Sequence, residues 1–259
     1  GGGPVGTALV ALARLGASTG YIGLLGNDEE GRRLRDQFVA EGVDVSRLRT
    51  SDRAGTNVCL LLVEQETARR AIVCHPRVTP SALTLDQDDR RYVQAARVLH
   101  LDGQFMPAAI QAARWARDAG VRVCFDGNHP RPGLDELLPL VDWLVVAAPF
   151  PREATGLGDP RQAAGALLRL GPELLVVTLG EAGCQAWLRP NAAGAPPEGP
   201  CSAPAFVVQA VDTTGAGDCF MATALASAAL RGVDLDARAL AHAARAAALT
   251  VARPGTMRA

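Results

Sequence analysis

The chain has 259 residues, 48% of them hydrophobic and 20% charged, and a formal net charge of −1. That is enough for one large α/β domain and too near neutrality for an electrostatic role on nucleic acid or a membrane surface. All 26 basic residues are arginine, which excludes a Walker A lysine, the strand lysine of protein kinases and Schiff-base chemistry.

No apolar run approaches the roughly 18–20 residues of a membrane span, and no signal peptide is visible. The six cysteines (59, 74, 124, 184, 201 and 219) are scattered, with no C-x-x-C pair. They read as buried thiols of a reducing cytoplasm rather than as zinc ligands or disulfides.

Behind the opening Gly1-Gly2-Gly3-Pro4, apolar Val5, Leu9 and Leu12 recur at helical spacing, with Gly16 placed as a C-cap. This predicts a helix over 2–15. A short strand over 21–25 and a helix over 29–41 follow. Between 55 and 75, two apolar runs (56–63 and 70–74) flank a polar turn at Gln65-Glu66-Thr67, the pattern of a hairpin or of an ordinary edge pair.

From Ser81 onward helix and strand alternate. Helices are predicted over 86–96, 107–119, 134–140 and 160–170, and strands over 97–102, 121–126, 143–147 and 174–179. Such alternation implies a predominantly parallel sheet with helices on both faces. Ligands of such sheets lie at the carboxyl ends of strands, which marks Asp102 and Asp126, each followed by glycine. For Asp126-Gly127-Asn128 a plain turn explains the pattern about as well. The proline-rich stretch 189–204 reads as an exposed loop.

An apolar, strand-like run, Ala205-Phe206-Val207-Val208, then leads to Val211-Asp212-Thr213-Thr214-Gly215-Ala216-Gly217-Asp218-Cys219-Phe220. An Ala-rich helix over 220–230 leads out, and a second covers 237–251, with His242 as a surface or packing residue. Two glycines flanking one small residue at a helix mouth let several N–H groups aim at one spot, where the helix dipole adds about half a positive charge. The natural guest is an anion. Asp218 in the first turn would repel a phosphate unless it has a task, and the obvious task is removing a proton from an attacking hydroxyl. A tight turn with Asp218 as a dipole partner is the plainer explanation.

Asp-Thr-Thr-Gly-Ala-Gly-Asp-x-Phe near the C-terminal end resembles the second signature of the ribokinase-like (PfkB) carbohydrate kinases. The run Gly-Gly-x-x-x-x-Ala, Leu-Ala-Arg-Leu-Gly-Ala, Gly-x-x-Gly-x-Asp-x-x-Gly and Gly-Val-Asp resembles the first. The resemblance covers nearly the whole chain. It implies a single ribokinase-like domain over 1–259, with a small β lid at 55–78 covering the sugar. That family carries a segment ahead of the glycine pair with the first sheet strand and a sugar-binding Asp, so the expectation here is the fold without its N-terminal strand.

The implied reaction is transfer of the γ-phosphoryl of ATP to a primary hydroxyl of a sugar. Asp218 would be the base, with Gly215, Ala216 and Gly217 as the anion hole. Thr178, Gly180, Gly183, Asp212 and Thr214 would lie on the nucleotide side, Asp212 being tied to a K⁺ site. Gly2, Gly3, Thr7 and Asp102 would lie on the sugar side, and Glu153 would organise Mg²⁺. Two positions depart from the family: Thr7 and Phe150 stand where it has asparagine. The Gly-Gly-Gly-Pro opening, Leu101–Gln104 and Pro149–Glu153 incline the reading to the ketohexokinase-like and sulfofructose-kinase-like branch, with a ketose such as fructose as acceptor. A nucleoside kinase of the same fold and a non-catalytic nucleotide or sugar sensor are the alternatives. Expected partners are ATP and the small acceptor, with a homodimer left open.

Overall fold

The computed structural model describes residues 2–64, 70–190, 195, 197–231 and 237–253. The chain divides into two compact units, residues 1–84 with 206–259, and residues 85–205.

The first unit opens with α1 (Gly3–Arg14), β1 (Gly23–Gly26), α2 (Glu29–Ala40) and β2 (Leu48–Ser51), followed by β3 (Val58–Val63) and β4 (Arg70–His75). Helix α1 ends where Gly16 donates to Ala13 O and Ala17 to Leu12 O, so Gly16 is the cap that the sequence suggests. β1 and β2 form a parallel pair. Val5, Leu9 and Val10 of α1 and Phe38 of α2 bury against Leu25 and Leu48 of that pair. Arg14 clamps Glu41 through two hydrogen bonds, 2.7 Å from Nε and 2.6 Å from Nη2.

β3 and β4 are an antiparallel hairpin, Val58 opposite His75 through Val63 opposite Arg70. The predicted turn at 65–67 lies outside the described residues. Cys59 and Cys74 face each other across this ladder, 4.1 Å apart at Cα, and are bridged. That corrects the expectation of six unpaired buried thiols. Spacing along the chain says nothing about cross-strand register, which is what brings the two sulfurs together. Cys124, Cys184 and Cys219 are buried and form no disulfide, as expected, while Cys201, also outside any disulfide, is exposed.

The second unit begins with α3 (Gln87–Gln94), capped by a reciprocal Asp86–Asp89 box. It continues through β5 (Val98–Leu101), α4 (Met106–Asp118), β6 (Arg122–Gly127), α5 (Leu134–Leu137), β7 (Trp143–Ala147), α6 (Phe150–Thr155), α7 (Pro160–Arg169) and β8 (Leu174–Thr178). β9 (Cys184–Leu188) and β10 (Glu198–Ala203) complete it. The sheet order is β10-β9-β8-β7-β6-β5. The β5–β8 stretch is parallel and its last two strands antiparallel.

The inner strands read as near-continuous apolar runs because both faces are covered: Val123-Cys124-Phe125, Leu144-Val145-Val146 and Leu174-Leu175-Val176-Val177 are all buried. Asp142, just before β7, accepts from Arg117 Nη1 at 2.6 Å and from the Val123 amide at 2.8 Å, fixing where β7 starts beside β6. The stretch read as a loop, 189–204, contains β10. A strand of Glu-Gly-Pro-Cys-Ser-Ala has no apolar alternation to announce it.

The chain then returns to the first unit as α8 (Ala216–Arg231) and α9 (Ala237–Val251), which pack together, with α1 also against α8. The predicted strand over 205–208 does not form. Phe206, Val207 and Val208 are exposed and have no ladder. The lead-in is tied instead by the amides of Val211 and Asp212, both donating to Val251 O at the end of α9.

One buried group sets a pH dependence. Both ring nitrogens of His100, on β5, are shielded from solvent and have no hydrogen-bond partner among the described residues. Burial pushes the imidazole from its ordinary 6.5 down to about 4. Between those values the unfolded chain binds the extra proton and the folded chain does not, so this contribution to stability is complete above 6.5 and is lost as pH falls toward 4. We expect the thermal midpoint to decline over that window. His100→Leu should flatten the decline, and an unchanged slope in that variant would contradict the assignment.

Candidate active site

In the first unit the site is a turn. Asp212 Oδ1 accepts from the Thr214 amide at 2.8 Å, and Ala216 N–H reaches Thr213 O at 3.4 Å. Gly215 then adopts φ 81°, a left-handed conformation that side-chain-bearing residues avoid. The first i→i−4 bond runs from Cys219 N–H to Gly215 O at 2.9 Å. α8 thus begins at Ala216, four residues before the Ala-rich run of 220–230, so Ala216, Gly217 and Asp218 form its first turn, where the sequence reading had put Asp218. The leading amides of any α-helix point out of its N-terminus, and here they belong to these three residues, that of Ala216 being shared with Thr213 O.

Gly217 is exposed, and a Cβ built there meets nothing within 4 Å. Asp218 is partly exposed at the helix mouth. Behind it, α8 is seated by buried Cys219 and Phe220. Burial pushes the Cys219 thiol up, so it stays a neutral packing group rather than a second anion beside Asp218. The Thr214 hydroxyl is buried with no partner among the described residues.

The opening glycines sit at the start of α1. Gly2 has φ 97° and Gly3 φ 72°, and a Cβ on Gly2 would come 2.6 Å from the Phe38 ring. Thr7 is buried and its hydroxyl donates to Gly3 O at 2.9 Å, back along its own helix. Its donor is therefore engaged and its lone pairs remain.

In the second unit, parallel register lines up the carboxyl ends of β5 to β8 along one edge. Asp102 Oδ1 accepts from Gln104 N–H at 2.9 Å, closing the turn after β5. Thr178 ends β8, its hydroxyl donating to Val146 O at 3.3 Å. Gly180 and Gly183 frame the next turn, closed by Gly183 N–H to Gly180 O at 3.0 Å and Leu179 N–H to Gly183 O at 2.8 Å.

Glu153, in the first turn of α6, is 2.8 Å from His129 Nδ1. Phe150 is fully buried and packs against Phe125 in a tilted pair, 6.5 Å between ring centroids. Its ring lies where a Cβ on Gly127 would stand, at 2.7 Å, so that position is a core position. The sequence reading missed both His129 and helix α6. A single histidine in a turn after Asp126-Gly127-Asn128 carries no periodic signal, and a six-residue helix carries little. Among the described residues no three His, Cys, Asp or Glu side chains converge as a metal cluster.

Comparison with known proteins adds four findings. A model of the pfkB family of carbohydrate kinases matches residues 1–259. The fructokinase of Klebsiella pneumoniae is 33% identical over 93% of this chain and 80% of that protein. The ATP-dependent ribose-1-phosphate kinase of Halopiger xanaduensis is 32% identical over 98% of this chain and 81% of its own length. Among solved structures, Arabidopsis thaliana ribokinase complexed with ribose and ATP superposes with a TM-score of 0.81 at 25% identity, covering 99% of this chain and 83% of that one.

Proposed function

Because the chain belongs to the pfkB family of carbohydrate kinases and is therefore a sugar kinase, we propose that it transfers the γ-phosphoryl of ATP to a primary hydroxyl of a ketose such as fructose. The observation that carries this reading is the turn at 215–218, where a left-handed glycine delivers three small or acidic residues into the first turn of α8. The fructokinase likeness supports the acceptor class. The names of the ribose-1-phosphate kinase and of the ribokinase complex support ATP as donor. Both units are taken as parts of one kinase domain, since the family match spans them.

In the proposed step, the Asp218 carboxylate takes the hydroxyl proton as the oxygen attacks the γ-phosphorus, and ADP leaves. The amides of Gly215, Ala216 and Gly217 would hold the transferring phosphoryl. They are worth most where charge develops in a site that need not reorganise. Asp212 and Thr214 shape that turn from the nucleotide side, and Thr178, Gly180 and Gly183 would line the nucleotide at the end of β8. Gly2, Gly3, Thr7 and Asp102 would face the sugar, with the 55–78 segment as its lid.

One carboxylate at Glu153, already shared with His129, suits a Mg²⁺ that arrives on the nucleotide phosphates and keeps most of its waters. Bound there, the cation would neutralise phosphate charge in a chain that has no lysine for the task.

The test is ADP release from Mg·ATP over a panel of ketoses, aldoses and nucleosides. Turnover with a ketose is expected. Turnover with nucleosides alone would replace the acceptor. ATP binding without turnover on any of them would favour a sensor, the reading that Phe150 and Thr7 invite.

A further inference from the structure

We propose that Asp28 is a positioning residue that holds the β3–β4 hairpin in its working pose through Thr56 and Arg77. Its kinetic consequence rests on the sugar-kinase reading, while the geometry stands apart from it.

Asp28 caps α2 in the ordinary way, Oδ1 accepting from the Gly31 amide at 2.9 Å. The same carboxylate does more. Oδ1 also accepts from the Thr56 hydroxyl at 2.6 Å and Oδ2 from the Thr56 amide at 2.8 Å, with Arg77 Nη1 3.4 Å from Oδ2. The Thr56 oxygen in turn accepts from the Gly26 amide at 3.0 Å, so its donor and an acceptor are both committed. Thr56 lies two residues before β3 and Arg77 two residues after β4. Gly55 N–H donates to Arg77 O at 3.1 Å, and Arg77 N–H to Asn57 Oδ1 at 2.7 Å. One carboxylate therefore joins the start of α2, the end of β1 and both legs of the hairpin.

This knot accounts for glycines of the first signature by close approach. A Cβ on Gly26 would stand 2.6 Å from Asp28 Oδ2 and from the Thr56 amide nitrogen, and one on Gly31 2.8 Å from Thr56 Oγ1. The Thr56 hydroxyl and amide, then Gly31 and Arg77, hold the Asp28 carboxyl down at about 2, so the knot stays charged at any working pH.

A helix cap alone would need none of the hairpin contacts. The hairpin needs them, because all of β3 is exposed and a two-stranded ribbon by itself is marginal. Cys59–Cys74 joins the strands near their base, so the ribbon turns as one piece on its attachment.

Thr56→Val keeps the shape and the Asp28 helix cap but removes the hydroxyl's two bonds, and Thr56→Ser restores them. Asp28→Asn keeps an acceptor for Gly31. We expect Thr56→Val and Asp28→Asn to raise the sugar KM about tenfold, the worth of one lost charged hydrogen bond. The ATP KM and kcat should stay within about twofold, and Thr56→Ser should match wild type. Hydrogen exchange at the amides of 58–63 and 70–75 should quicken in both impaired variants, with α8 amides unchanged.

An unchanged sugar KM and unchanged hairpin exchange in Thr56→Val would overturn the proposal. So would a uniform loss across all parameters that Thr56→Ser fails to rescue. If no sugar supports turnover even in the wild type, the sugar-kinase reading fails on its own, and hairpin exchange still decides the role of Asp28.

Discussion

Asp218→Asn is expected to lower kcat by about a thousandfold while leaving nucleotide affinity unchanged or slightly tighter. General-base removal costs 10²–10⁴-fold in typical enzymes, by roughly the amount that proton transfer contributes in the transition state. Asparagine has the same shape and keeps an oxygen at the mouth of α8, so the turn built by Asp212, Thr214 and Gly215 is preserved. It also removes a negative charge from the place where phosphate would bind, which favours nucleotide in the ground state. The two effects run in opposite directions, and a folding defect cannot produce both. Nucleotide titration and single-turnover phosphorylation measure them separately. A variant that keeps turnover within tenfold of wild type would show that the base is elsewhere.

Gly217→Ala separates an anion hole from a plain turn even more sharply. Gly217 lies inside α8, its φ is not left-handed, and a Cβ there has open space. If the residue only served the fold, alanine would stabilise the helix by about 0.5–1 kcal/mol. If its amide and the space before it receive the transferring phosphoryl, the added methyl stands in the way. The expected cost is then about a hundredfold in kcat/KM, comparable to losing one oxyanion donor. The anticipated outcome is therefore a midpoint of unfolding that holds or rises alongside a collapse in activity. Full activity together with a higher midpoint would return the turn to a structural role.

How far the fold could be read from the sequence depended on whether a segment's signal was local. β7 and α9 fall at the predicted limits because a buried parallel strand and an Ala-rich amphipathic helix announce themselves in their own residues. β10 and the exposed Phe206-Val207-Val208 failed in opposite directions, since a strand exists only where a partner offers its edge. Glu198–Ala203 has β9 beside it, and the apolar run has no strand beside it among the described residues. The glycine turn was legible as a turn into a helix because its residue types are unusual together. What escaped was reciprocity. Asp28 was visible as a motif letter, but its bonds to Thr56 and Arg77 join positions 28 and 49 residues away. The pairing of Glu153 with His129 escaped for the same reason.

The bridge between Cys59 and Cys74 also changes the chain's connectivity. The polypeptide is no longer a simple line, because residues 59–74 form a closed ring with a long tail on either side. A peptide bond cut within the ring leaves every atom of the protein in one covalent piece, and only a reductant then parts the two halves. A cut outside the ring divides the molecule at once. Of the whole chain, the exposed ribbon is the stretch in which a single break leaves the two ends still joined.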